Sequence, residues 1–270
     1  MARYEVKKLS VGGVLDQAIA VVRDHFSLFL AVSLVAYLPL AIVNAIASQS
    51  LQPNMPPEPK TPEELWEFYE ALLTPLVPLI PLWALISFIV WPLTCGAVIW
   101  TVSQRYLGEP ATFQMAWKHA FGRGAALVWT SVLYLILLMV GMVFCFVPYL
   151  IFYFWFFLFA QIVVLERGRG VSALIRGKAL MSGHYMEAIV ISLLMFVIAV
   201  PFGAMSALFP HQLTAAILQA VAQSALMIVS VAIITVFYYS CRCDREDFDL
   251  LRMAEAVSVA AAEEQSAIGA

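Results

Sequence analysis

Charge is what this sequence has least of. Asp, Glu, Lys and Arg make up 12% of its 270 residues, against 63% hydrophobic residues. Soluble domains carry roughly a quarter of their residues as charges, so a water-soluble globule is excluded: it has no way to hide so much apolar surface. The apolar residues come in long unbroken runs, not in alternating segments of about ten, which excludes a transmembrane β-barrel. The composition, with a mean hydropathy of +0.88, therefore predicts an all-α polytopic membrane protein.

Catalytic vocabulary is missing as well. There is no HExxH, CxxC or GxSxG, so zinc-protease, dithiol and serine-hydrolase chemistry have no starting point. The glycine-rich "ERGRGVSALIRGK" (166–178) follows no strand and is not a phosphate-cradling loop. Four cysteines, Cys95 and Cys145 in apolar runs with Cys241 and Cys243 at one edge, form no secreted disulfide framework. Two thiols also fall short of the four ligands of structural zinc. Buried ionisable residues mark proton relays and ion pathways, and between the ends of the apolar runs there are none. Among amides, only Asn44, Gln161, Gln219 and Gln223 lie at depth; Gln219 and Gln223, with Ser230, share one side of the last apolar run, where interhelical hydrogen bonding explains them. No catalytic residue, metal or cofactor is expected.

Six apolar stretches are long enough to cross about 30 Å of hydrocarbon, at 26–48, 76–102, 124–144, 147–165, 187–208 and 213–240. The third and fourth are joined by the tight turn "FCFVPY", the fifth and sixth by "FPHQL". The first run is too long for a signal peptide and is preceded by 25 residues that include Glu5, Asp16 and Asp24; it is expected to be retained. Lys and Arg favour the cytoplasmic side, and 14 of the 15 fall on one side of this arrangement, Lys60 being the exception. Both termini are thus expected in the cytoplasm.

Three parts follow: a cytoplasmic segment 1–25 with an interfacial helix, a transmembrane domain 26–240, and a tail 241–270 that starts helical and ends disordered. The outer loop 49–75 holds "TPEELWEFYEALL", an acidic surface helix with Thr61 as N-cap and Pro62 at the first position. The inner segments 11–26, 112–127 and 171–186 are alike in being short and amphipathic. They suggest a threefold repeat of an interfacial helix plus a hairpin. Pro39, Pro92 and Pro201 are expected to kink their helices.

Candidate contacts follow from placement. Arg167, Arg169, Arg176 and Lys178 would meet anionic headgroups on the cytoplasmic side. In "YYSCRCDREDFDLLRMA" (238–254), Tyr238 and Tyr239 belong to the aromatic belt. Arg242 with Glu246, and Arg245 with Asp249, are spaced as i, i+4 ion pairs. Arg242, Arg245, Phe248, Asp249 and Leu251 make the tail a candidate docking surface. His25, His119 and His184 stand at the inner edge, one in each proposed unit, and read as interfacial anchors before they read as a site.

Three stretches together resemble a known family. These are "VGGVLDQAIAVVRDHFSLFLAVSLVAYLPL", "VPYLIFYFWFFLFAQIVVLERGRGVSALIRGKALMSGHY" and "FYYSCRCDREDFDLL". They are similar to the membrane domain found with glycerophosphoryl diester phosphodiesterases, in the form that lacks the soluble catalytic barrel. Ser240 with Cys241, and Asp247, depart from the tail pattern of that family. The resemblance implies a multi-pass protein of the bacterial plasma (inner) membrane, and no enzyme, since hydrolysis there belongs to the barrel. The expected function is non-catalytic: organising lipid or a partner protein, a second copy included. The alternative is a transporter or flippase that passes a lipid-like substrate through a groove between kinked helices. Nothing points to nucleic acid.

Overall fold

In the computed structural model, described over residues 4–51, 85–144, 146–204 and 212–251 with isolated positions in 61–81 and at 253, 254 and 258, the chain is all-α. In order, the helices are α1 (Val11–Leu51), α2 (Trp91–Tyr106, entered through a π-helical turn at Ile86–Val90), α3 (Phe113–Val143), α4 (Phe146–Trp155), α5 (Phe159–Leu165), α6 (Gly170–Met181), α7 (Tyr185–Ala204) and α8 (Gln212–Glu246).

Among the described residues, four stretches are long and apolar enough to cross a membrane: Val11–Ile42, Phe113–Val143, Phe146–Leu165 and Ala216–Glu246. A fifth appears if α6 and α7, bent by 102° across their junction, count as one span. Among the described residues, four to five candidate spans therefore stand where six were expected across the whole chain. The second expected span, 76–102, lies partly outside the described residues, and what is described of it, α2, has 16 residues. Cys145 and nearly all of the tail beyond Leu251 also lie outside the described residues. In the segment expected to lie outside, Leu65, Trp66 and residues 68–70 are helical, with Leu65 N–H donating to Thr61 O at 3.2 Å.

The three segments expected on the inner side join the helices that follow them in three different ways. Within α1 the helix breaks at His25 (φ −130°, ψ 22°), so an amphipathic stretch of about four turns leads into an apolar rod. No such break is seen in α3, where Thr112 caps the start by accepting from Met115 N. Between α6 and α7 the chain turns sharply through Gly183 (φ +88°), a conformation that costs other residues more.

The proline expectations resolve unevenly. Pro92 sits at the start of α2, directly after the π turn; its missing N–H and its ring, which crowds the preceding turn, favour that widening. In α1 the break is at His25, not at Pro39.

Packing holds the bundle, because hydrocarbon tails are as apolar as leucine and give helices no reason to associate except close contact and hydrogen bonds. α8 is the central helix: 61% of its apolar window is buried, against 17% for α1 and for α3. Its broadest neighbour is α1. α2 and α3 come very close through two glycines. A Cβ on Gly96 would lie 2.6 Å from Leu127 Cδ1, and one on Gly124 would lie 2.8 Å from Leu93 Cδ2. The tight turn between the third and fourth expected spans closes in the same way. There a Cβ on Gly141 would meet the backbone of Tyr149 at 2.8 Å. Facing outward, Met139, Val143, Leu193, Phe196 and Val197 are exposed, as befits a surface wetted by lipid.

Candidate functional site: the charged end and the cavity behind it

At the charged end of the bundle, α8 leaves its apolar run through Tyr238 and Tyr239. Both rings are buried, and each phenol has a partner. Tyr239 OH and Ser103 Oγ are 2.6 Å apart, tying α8 to α2. Tyr238 OH donates to Glu166 Oε1 at 2.8 Å, tying α8 to the segment after α5. Tyr106 stacks on Tyr4 and donates to the carbonyl of Glu5 at 3.0 Å. The N-terminal segment is fastened again where Leu9 N–H donates to Ser240 Oγ at 2.9 Å. On the same segment, the Lys7 ammonium beside Glu5 holds that carboxyl below its ordinary range.

Charged side chains then close the end. Arg176 Nε donates to Glu166 Oε2 at 2.8 Å, and the same guanidinium pairs with Glu246. Arg242 Nε donates to Glu246 Oε2 at 3.0 Å, which is the expected i, i+4 pair. Asp244 accepts from Lys8 Nζ at 2.6 Å and faces His184 Nε2 at 3.1 Å. Two carboxylates from different parts of the chain thus hold α6 and α8 through one shared arginine.

The tail does not run on into water as one helix. Asp247 takes a left-handed conformation (φ +51°) and the chain reverses. Phe248 then packs 5.6 Å from the Tyr239 ring, with the Arg242 guanidinium 4.1 Å above its own face. Arg245 turns to the carbonyl of Ser182, so the pair with Asp249 does not form. Asp249 is half-buried; Leu251 is 57% exposed, beside the equally open Leu250 and Met253.

The candidate headgroup residues separate into two kinds. Arg176 is engaged with Glu166 and Glu246. Lys178 lies 3.8 Å over the Trp155 ring yet remains exposed. Arg167 and Arg169 are exposed and form no ion pair among the described residues. They flank Gly168, whose carbonyl accepts from Arg123 Nη2 at 3.1 Å. Arg123 also donates to Val163 O, and His119 Nε2 lies 3.1 Å from Val164 O. Together they cap the last carbonyls of α5, where a cation complements the helix dipole. Three guanidinium groups, Arg123 from α3 and Arg167 and Arg169 from the loop itself, are thereby gathered around one short loop, whose adjacent acid, Glu166, is already taken by Arg176 and Tyr238.

The three histidines do not converge on one site. His25 marks the break in α1, His119 stacks on Trp100 and approaches Val164 O, and His184 faces Asp244. No group of three metal-ligating side chains occurs among the described residues. Cys95, Cys241 and Cys243 are free thiols.

Behind this end, within the apolar part, lies a cavity of about 340 Å³ between α1, α2, α3, α5, α7 and α8. Trp91, Leu127, Phe159, Met195, Met227 and Ile234 build most of its wall. Ser131, Gln161, Gln223 and Ser230 interrupt it with polar groups. Gln161 is 3% exposed and its Oε1 has no hydrogen-bond partner. Sequence reasoning singled out Gln161 and Gln223 as the rare amides at depth. It read Gln219 and Gln223 as interhelical bonding partners; Gln161 and Gln223 both line this space. The role of Glu166 was missed; its one available signal was that it is the lone acid beside the basic run 167–178.

No protein family, no curated protein and no solved structure matches this chain; its placement rests on its own helices, which make it an all-α protein with four to five candidate membrane spans.

Proposed function

We propose that the chain is a non-catalytic, six-span protein of the bacterial inner membrane, with both termini cytoplasmic, that organises anionic lipid at its charged end. The proposal keeps the resemblance to the phosphodiesterase-associated membrane domain and its three interfacial-helix units. One observation carries it: Arg167 and Arg169 project from a loop pinned by Arg123, with the nearby carboxylates already paired. Gathering like charges is unfavourable unless an anion joins them, and guanidinium groups suit phosphate well. Phosphodiester headgroups of the cytoplasmic leaflet supply that anion.

The test uses purified protein in nanodiscs of mixed zwitterionic and anionic phospholipid, with retained lipid read by native mass spectrometry. Arg167→Gln with Arg169→Gln should cut retained anionic lipid several-fold and leave zwitterionic lipid unchanged. Unchanged retention, or unaided hydrolysis of lipid phosphodiesters by the wild-type protein, defeats the proposal.

The cavity supports a second reading, passage of a lipid-like substrate between helices. In that case protein in liposomes should accelerate exchange of a fluorescent lipid between leaflets, and filling the cavity should stop it.

A further inference from the structure

We infer that the cavity between α2, α5 and α8 is a binding site for an uncharged, single-chain lipid alcohol, whose hydroxyl pairs with Gln161 and whose hydrocarbon chain lies along α8. This goes beyond the headgroup reading and does not depend on Arg167 or Arg169.

Four features select the ligand. First, among the described residues no Asp, Glu, Lys, Arg or His lines the space, so a charged headgroup would be buried there without a counter-charge, which is unfavourable. Second, the volume of about 340 Å³ lies at the small end of the roughly 300–1,000 Å³ typical of ligand sites. It suits one chain better than a two-chain phospholipid. Third, Gln161 is almost wholly buried with an unpartnered Oε1, and a buried polar group left unpaired is costly. A hydroxyl donates and accepts, so it serves the amide whichever way it is turned. Fourth, Gln223 and Ser230 lie on the same wall. Being seven residues apart on α8, they are separated by about 10 Å along the axis, which leaves a long slot for a chain with few polar stops.

Small side chains make room for the ligand: Ala160, Ser131 and Ser230 line the slot where larger residues would fill it. A methionine pair, Met195 and Met227, supplies adaptable apolar contact.

The experiment uses the full chain in nanodiscs of zwitterionic phospholipid and, as probe, a hexadecanol bearing a diazirine in its chain. Photolabelled peptides are mapped by mass spectrometry. Competition on the wild-type protein comes first, with 1-hexadecanol, hexadecane and hexadecyl phosphate. Hexadecanol should displace the probe from peptides of α5 and α8. Hexadecane should do so about tenfold less well, the equivalent of one hydrogen bond, and hexadecyl phosphate weakly or not at all. Gln161→Leu should lower labelling about tenfold with no loss of thermal stability, since it removes an unpaired acceptor. Ser230→Phe should abolish labelling. Equal competition by alkane and alcohol overturns the inference, as does strong competition by the phosphate. Labelling that survives Gln161→Leu and Ser230→Phe also overturns it. The competition series needs no variant, so misfolding cannot shield the idea.

Discussion

The phenol of Tyr238 donates to Glu166 Oε1 at 2.8 Å, joining the last helix to the loop after α5 across 72 residues of sequence. Glu166 also accepts from Arg176, and Arg242 Nε lies 3.9 Å away. Glu166 is therefore the acid about which the charged end is assembled, with a side chain only 19% exposed.

Removing it should be felt throughout the bundle. Glu166→Ala leaves a half-buried guanidinium and a buried phenol short of an acceptor, and should cost about 2 kcal/mol. Tyr238→Phe, which deletes one hydrogen bond, should cost about 1 kcal/mol. Thermal unfolding in mild detergent measures both. Equal, negligible losses would mean that water replaces these bonds freely.

The turn between α3 and α4 offers a sharper steric test. Gly141→Ala drives a methyl group against backbone atoms of Tyr149; backbone cannot swing away as a side chain can. Overpacking of this kind typically costs 1–3 kcal/mol. Gly122→Ala, with open space around its Cβ position, should cost little or stabilise slightly. Side-by-side melting curves compare the pair.

Phe248 and Cys243 separate the two readings of the tail. Phe248→Ala removes a ring packed on Tyr239 and beneath Arg242. It should weaken the folded tail, and any assembly that depends on it, by about 1–2 kcal/mol. Cys243→Ser should do less. Limited proteolysis after Asp247 reports the difference, and the reverse order would restore a metal or redox role to the thiols.

The thiols should also be shielded kinetically. Cys241 is fully buried and Cys243 nearly so. Maleimide labelling of both should be slow in folded protein and should rise with denaturant along the unfolding transition. Rapid labelling of native protein would contradict the docked tail.

Long-period features of this fold were legible from residues alone. Unbroken apolar runs announced candidate membrane helices, whereas the kink expected at Pro39 falls instead at His25, where the amphipathic segment gives way to the apolar run. The i, i+4 spacing of Arg242 and Glu246 foretold their pair. Partners chosen in three dimensions were not legible. Arg176, Glu166 and Glu246 lie on three separate segments, and nothing local distinguishes an arginine that meets lipid from one that meets a carboxylate across the bundle. The reversal at Asp247 was hidden too, because Asp visits the left-handed conformation only occasionally and an isolated Asp in a charged run does not announce it. Likewise the amides Gln161 and Gln223 were conspicuous by rarity, but a cavity is a property of six helices at once.

The hydrogen bond from Leu9 N–H to Ser240 Oγ bears on how the chain is built in time, because its partners are 231 residues apart. Synthesis proceeds from the N-terminus at about 5–20 residues per second, so Leu9 waits at least about ten seconds for its acceptor. Throughout that interval the side of α1 that later packs on α8 is uncovered. α1 must therefore find temporary cover, in lipid or in the insertion machinery, and the bundle becomes complete only with its last membrane-crossing stretch. A chain released before Ser240 would be inserted but unlatched, a natural substrate for membrane quality control.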